Sequence, residues 1–541
     1  MSTTMTPYRS AGPSGRDGFV QLLRAEWTKF RTVRGWTIAL LAVTALTALV
    51  PIWLAGTAKS NDPETCVNGV CQAEGQTVAT GPAGTAVIDA FYFVHQPVSG
   101  TGSITTAVRA LHGTARPQVP PGFAQPPPTQ PWAKAGLIIK ASTKPGAAYA
   151  AVMLTGGHGV RMQYDYTHDL AGPAAATTTG ATWLRLTRSG NAVTGYESAD
   201  GRHWTKIATV VLRGLPATAQ AGLFVASPDF REGTGSGDNS FGGPTQAAAS
   251  FGSLALHGGV PGQSWTGSEI GALTPSPSVG FNNGPPPSAT KQFRPGPKDD
   301  FTLAGGTYVV TGSGDIAPFV PIVDPMHVVF LATLFGLIAV IGLGAVFVTA
   351  EYRRSLIRTT VTASPRRGRI LLAKSIVVGT ATFVAALIGA AIAFPVAAHK
   401  VYLNGWKPPV WPQLSLTSST GLQVVLGTAA IAAAAAVLGL AAGTIFRRSS
   451  GAVTAVIGVV VMPLVLAIVL PLPLATWLLR LTPAAAFSLQ STVPHYSQVS
   501  NVCAPYHACF PLTPWAGYAV LCAWAVAALG GAIYLLRRRD V

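Results

Sequence analysis

The chain has 541 residues, of which 49% are hydrophobic and only 11% charged, a composition too apolar for an ordinary soluble protein. Its net charge of +17 raises nucleic acid as a partner, yet residues 57–324 hold 16 basic and 16 acidic side chains, so the whole excess lies in the apolar remainder and its flanks. Anionic lipid headgroups account for a charge placed that way, and no nucleic acid is needed.

Residues 1–17 are rich in Ser, Thr, Gly and Pro and are expected to be disordered. Over 18–35, Phe19, Leu22, Leu23, Trp27, Phe30 and Val33 recur at helical spacing. Arg24, Lys29, Arg31 and Arg34 stand largely away from that stripe. This is the composition of a helix lying in the membrane interface. A span at 36–56 follows. Leu54-Ala55-Gly56-Thr57-Ala58 offers small residues for signal cleavage, but the long apolar core behind a basic helix reads as an uncleaved anchor.

Residues 57–324 form a large insertion, poor in helical periodicity and rich in Pro, Gly and Thr. Candidate strands include 91–94, 103–109, 135–140, 149–154, 160–164, 182–187, 192–197, 208–212, 221–226 and 250–256, with Ser189-Gly190-Asn191 and Asp200-Gly201 as turns. Such spacing predicts an antiparallel, all-β, jelly-roll-like sandwich with its core at about 88–258. Residues 110–130 and 270–298 read as Pro-rich linkers, 301–310 as a separate hairpin, and Asp315 as a turn residue.

The order Trp183-Leu184-Arg185-Leu186-Thr187-Arg188, Val193-Thr194-Gly195-Tyr196-Glu197-Ser198 and Asp200-Gly201-Arg202-His203-Trp204 resembles the concanavalin A-like sandwiches of the regulation-of-enolase type. That resemblance implies a domain that often binds carbohydrate, with a cell-wall glycan as the candidate ligand. Tyr164, Tyr166, His168, Asp169 and Trp204 are candidates for stacking and hydrogen bonding to a sugar, or for ordinary packing. His158 and His168 have no ligand spacing around them, so no metal or other cofactor is expected.

Beyond the insertion, 325–541 holds further charge-free runs at 327–350, 370–394, 421–446, 451–472 and 515–536. With 36–55 these make six runs of about 20 residues, each long enough to cross a bilayer as a helix. With the amino terminus in the cytoplasm, 18 of the 21 basic residues outside the insertion fall on the inner side, leaving Lys400, Lys407 and Arg480 outside. On that layout both termini are cytoplasmic and 57–324 is extracellular. Cys66 with Cys71, and Cys503 with Cys509, then fall on the oxidising face as disulfide candidates, while Cys522 sits inside the sixth run.

The runs carry no ionisable residue away from their ends, which argues against ion-coupled transport and intramembrane proteolysis. No Gly-x-x-x-x-Gly-Lys-Ser/Thr loop occurs either. Energy for transport must therefore enter from a cytoplasmic partner. The segment 351–369 is placed to receive it. Tyr352, Leu356 and Ile357 form one face of a short helix and Arg353, Arg354 and Arg358 the other, while Ser364 caps the next helix with Pro365 at its first position.

Two blocks, Leu23-Arg24-Ala25-Glu26-Trp27-Thr28-Lys29-Phe30-Arg31-Thr32-Val33-Arg34 and Glu351-Tyr352-Arg353-Arg354 through Thr359-Thr360 to Pro365-Arg366-Arg367, resemble the type 2 family of ABC transporter permeases, especially its actinobacterial-type branch. The resemblance implies an α-helical polytopic membrane protein with an interfacial elbow helix and six transmembrane helices. It also implies a coupling helix after the second span that docks on a cytoplasmic ABC ATPase. In such a complex two ATPase subunits serve a homo- or heterodimer of permeases, and the chain itself is no enzyme. Tyr352, Leu356 and Ile357 would fill the ATPase groove, Arg353, Arg354 and Arg358 would pair with its acidic residues, and Glu351 would brace the bundle against nearby arginines. The insertion of 268 residues departs from a minimal member. The competing reading is a membrane-anchored extracellular glycan-binding or sensing protein. A glycan hydrolase has the weakest case, since no carboxylate pair can be placed.

Overall fold

The computed structural model describes residues 18–58, 66–67, 70–71, 79–117, 125–173, 181–233, 240–259, 263–271, 298–321, 323–353, 367–499 and 510–538. The chain enters through helix α1 (Phe19–Thr32), turns at Val33, and continues as α2 (Arg34–Thr57). Ile38, Leu41, Leu49 and Trp53 of α2 stand exposed, as side chains facing lipid do.

The insertion is a sandwich organised on one long strand. Short β1 (Cys66–Val67) and β2 (Val70–Cys71) pair with each other, and β3 (Val87–Asp89) leads into β4 (Phe91–Ala115). There follow β5 (Lys134–Lys140), β6 (Tyr149–Thr155), β7 (Val160–Tyr164), β8 (His168–Ala171), β9 (Thr182–Ser189), β10 (Ala192–Ser198), β11 (Thr205–Val211) and β12 (Ala219–Ala226). The last group is β13 (Phe230–Gly233), β14 (Ser240–Gly243), β15 (Gln246–Gly259), β16 (Thr266–Ile270), β17 (Phe301–Ala304), β18 (Thr307–Ser313) and β19 (Ile316–Pro318).

The first half of β4 pairs with β12 and β16, and its second half with β9 and β15. These pairings belong to one continuous 13-stranded sheet with β4 near its middle, and it closes over a core of Val94, Ile104, Leu137, Val152, Leu186, Leu223 and Phe251. The separate strands expected at 91–94 and 103–109 are therefore a single element, because the residues between them keep pairing through Val98 and Thr101. The hairpin expected at 301–310 forms, with Phe301 opposite Val310, but it is not separate from the sandwich. β18 extends the sheet by pairing along β15 from Gln246 to Gly252, so the sandwich runs on to β19, past its expected end near 258.

Two lysines lie fully buried inside the domain. Lys134 donates to Asp315 at 2.5 Å and Lys140 to Asp89 at 2.6 Å, tying β5 to the strands at either end of the insertion. Asp315 is thus a buried ion-pair partner rather than a turn residue. Removing either partner of such a pair costs about 3–5 kcal/mol, since the other charge is left dry and alone.

Among the described residues, six helices are long and apolar enough to cross a membrane. After α2, the second is α3 (Pro325–Leu331) continued by α4 (Leu334–Arg353). The third is α5 (Arg367–Leu403), whose 37 residues extend about 55 Å, well beyond the hydrocarbon layer. Next come α6 (Ser419–Phe446), then α7 (Ser449–Val460) with α8 (Met462–Val469), and finally α10 (Pro514–Arg538) after α9 (Leu472–Leu481). The fifth span breaks where Pro463 cannot supply the helix hydrogen bond. α9 is bent by 92° against the 3₁₀ helix Pro483–Gln490, whose side chains are all buried. Small residues let α4 and α6 meet closely: a Cβ added at Gly344 would come within 2.1 Å of the Ala436 carbonyl.

Candidate functional site

The end of the bundle away from the sandwich is organised around Lys374, seven residues after the start of α5. Its ammonium, on a side chain only 2% exposed, lies 2.7 Å from Glu26 Oε2 and 2.6 Å from Glu351 Oε1. Glu26 belongs to α1 and Glu351 to the last turn of α4, so one cation joins three elements. Lys29 reaches the same carboxylates at 3.1 and 3.6 Å from the solvent side. Partial burial disfavours the Lys29 ammonium, but the two carboxylates outweigh it and its pKa is raised. The Phe347 ring lies 4.7 Å from the Lys374 ammonium and packs edge-on against Phe30 and Trp36, each at 5.5 Å. The apolar stripe of α1 thereby meets the second span directly, with its dry face roofing the ion pairs.

Both ends of the segment 354–366 are anchored. On one side stand Glu351 and Tyr352, the latter's ring 5.5 Å from the Arg447 guanidinium at the left-handed C-cap of α6. On the other side Arg367 donates to the Leu536 carbonyl at 2.8 Å, meeting the last turn of α10 where free carbonyls favour a cation. The 2.6 Å contact between Glu351 and Lys374 closes the base of the segment.

The end of the bundle next to the sandwich carries a second convergence. Asp324, at the exit from the sandwich, accepts from the amides of His327, Thr492 and Val493 and from the hydroxyl of Thr492 at 2.5–3.1 Å. It so caps α3 and fastens the chain that follows the 3₁₀ helix. The C-terminal carbonyls of α2 are also taken up: Lys400 donates to Ile52, Asn404 to Ala55 and the Trp406 indole to Ala58. The sandwich rests on these connections through the Ala86 amide to the Pro409 carbonyl and through Gln498 to the carbonyls of Tyr166 and Thr167.

Of the residues singled out in the sequence, Glu26 and Phe30 are buried, whereas Arg24, Trp27, Lys29, Arg31 and Arg34 stand on the exposed side of α1 and its junction with α2. Arg353 ends α4. Arg354, Leu356, Ile357, Arg358, Thr359, Thr360, Pro365 and Arg366 lie outside the described residues, as do 1–17, Cys503 and Cys509. Among the described residues the partners of Glu351 are lysines, Lys374 from the neighbouring helix and Lys29 from α1, where arginines were expected. Lys374 itself was passed over at the edge of an apolar run. The signal that finds it is scarcity: only four acids lie outside the insertion, and two of them, Glu26 and Glu351, flank spans.

Among the sugar-site candidates, Tyr164 and His168 stack on each other at 4.2 Å, and the other three are engaged within the domain. Tyr166 is buried with its hydroxyl on Asp89, Asp169 is held by Arg161 and Gln163, and the Trp204 ring is covered by Arg185 at 3.9 Å.

A family model described as ABC-2 family transporter protein matches residues 22–541. The chain belongs to the ABC-2 transporter family. It is accordingly a multi-pass membrane protein and the permease subunit of an ABC transporter, a transport subunit rather than a catalytic one, and membership implies association with an ABC ATPase. No curated protein matches the chain. Among solved structures, scytalido-glutamic peptidase with a transition state analog inhibitor shares 9% identity over 42% of this chain and 98% of its own, with a TM-score of 0.24. The GH43 protein BlXynB of Bacillus licheniformis shares 13% over 23% of this chain and 24% of its own, with a TM-score of 0.17. Likenesses so slight carry no argument about the outer domain.

Proposed function

We propose that this ABC-2 permease is the membrane subunit of an exporter for an amphiphilic or hydrophobic substrate, driven by a separate ATPase that docks on the segment 351–369. The observation that carries the reading is Lys374, shared by Glu26 and Glu351 at the base of that segment. A push on the segment reaches Glu351 first, and a dry ion pair 2.6 Å long resists separation more than a solvated one. The displacement therefore passes to α5 through Lys374 and to α1 through Glu26, moving three elements as a unit. Leu356 and Ile357 fill the ATPase groove, while Tyr352, packed against the bundle and Arg447, anchors the start of the segment. Arg353, Arg354 and Arg358 pair with its acidic rim. Glu351 Oε2, buried and without a partner among the described residues, is open to one of these arginines.

In this reading both termini are cytoplasmic, residues 57–324 are extracellular, and two copies of the permease, or this one and a relative, work with two ATPase subunits. Interspersed basic residues at the inner face meet anionic lipid. Cys66 and Cys71, which oppose each other in the register of β1 and β2, form a disulfide, and Cys503 with Cys509 a second. A cell-wall glycan is the candidate ligand of the sandwich.

The decisive experiment is co-purification of the chain with its ATPase. Replacing Leu356 and Ile357 together by Asp puts two charges into the docking face and should abolish the complex while leaving the permease in the membrane. Undiminished ATPase binding by that double variant would overturn the docking site.

A further inference from the structure

The outer connections of the bundle meet around one cleft beneath the sandwich. Its walls include Phe319 from the chain leaving the sandwich, Met326 from the second span, Val401 from the end of α5, Trp406 and Trp411 from the loop that follows, and Tyr496 from the segment before α10. None of its lining residues is charged. Both indole N–H groups are already committed, Trp406 to the Ala58 carbonyl and Trp411 to that of Val323, so what the tryptophans offer the cleft is ring surface. The two rings meet edge to face at 4.8 Å, which stiffens the wall.

The volume is about 80 Å³, roughly half that of an apolar cavity of about 150 Å³ known to take benzene. That is room for a short stretch of alkyl chain, not for a whole lipid. A charged head is disfavoured by a wall that is mostly apolar and holds no counter-charge, whereas each methylene buried there favours binding about fourfold. Exposed Lys407 stands at the rim, its ammonium 5.7 Å from the ring of the lining residue Tyr402. The nearby carboxylate of Asp324 is already saturated by five donors and turned to the segment 491–493 and the α3 N-terminus, so it does not repel an anion at Lys407.

We propose that this cleft binds the apolar tail of a single-chain anionic amphiphile whose head pairs with Lys407, a site on the outward side of the transport path. The proposal deepens the export reading, on which it rests only for calling that ligand cargo.

The test uses the full chain with its co-purified ATPase in zwitterionic nanodiscs, photolabelled with dodecanoic acid carrying a diazirine near its methyl end. The matching dodecanol is the uncharged control. Label from the acid is expected on peptides containing Phe319, Tyr402, Trp406 and Trp411. Ala398→Phe, which fills the cleft from α5, should cut that labelling about tenfold or more. Lys407→Glu, on an exposed side chain that leaves the fold unstressed, should lower labelling by the acid about threefold while sparing the alcohol. Labelling indifferent to both variants, or an equal response of acid and alcohol to Lys407→Glu, would overturn the proposal. ATPase recovery is read on the same samples. Cleft labelling without a bound ATPase sinks the export reading alone, and an intact complex with no cleft labelling sinks the cleft alone.

Discussion

Lys374→Met removes the cation shared by Glu26 and Glu351 and keeps most of the side chain's volume. The carboxylates left behind sit on side chains only 1% and 12% exposed, with Lys29, 47% exposed, as their remaining counter-charge. Breaking a buried pair in this way costs about 3–5 kcal/mol. At about 2 °C per kcal/mol for a unit the size of the membrane half, the thermal midpoint should fall by about 6–10 °C. Fluorescence-detected size exclusion after heating measures it on the full chain, and ATP turnover of the assembled complex is read at a temperature where the variant stays folded. Turnover stimulated by cargo should be lost while ATPase binding persists, since docking and transmission are different contacts. Glu26→Gln added to Lys374→Met should recover about half of the stability, because one carboxylate remains and Lys29 serves it. A midpoint within about 2 °C of wild type, or cargo-stimulated turnover at the wild-type rate, would refute the idea that this cation ties α1, α4 and α5 together.

Asp324→Asn places an amide N–H₂ before the amides of Thr492 and Val493 and should cost about 2–4 kcal/mol, read as faster proteolysis of the chain between the 3₁₀ helix and α10. Gly222→Ala is expected to prevent stable folding of the sandwich, since a Cβ there would lie 1.9 Å from the Val94 carbonyl between β12 and β4; protease resistance equal to wild type would contradict that packing. His95 is held below its ordinary pKa by burial against the Phe93 ring, a shift that its hydrogen bond to the Gln220 side-chain carbonyl only partly offsets, with Ser268 the other polar neighbour. The unfolded chain therefore binds the extra proton first, so the sandwich should lose stability as pH falls below about 6.5. His95→Gln should flatten that slope in denaturant titrations at a series of pH values, and an unchanged slope would assign it to another group.

Helix count and the presence of an inserted β domain were legible because each depends on local pattern. Twenty apolar residues without a charge have one stable fate in a bilayer, and alternating strands with Gly turns have few. The family blocks were legible for a related reason, since a basic amphipathic helix before a span and a basic turn after one are contiguous in the chain. The extent of the sandwich was not. β18 joins β15 across some fifty residues of intervening chain, and period-two alternation in 307–313 says nothing of which edge it completes.

Charge arithmetic along the sequence, by itself, determined that the positive excess belongs to the membrane half. Tertiary structure alone decided what the few acids are for. Glu26, Glu351 and Lys374 are separated by up to 348 residues and meet within 2.7 Å because α1 folds back beneath the start of α5 while α4 ends beside it. Long-range electrostatic partners leave no periodic trace in a chain. Only packing that removes water makes them choose each other.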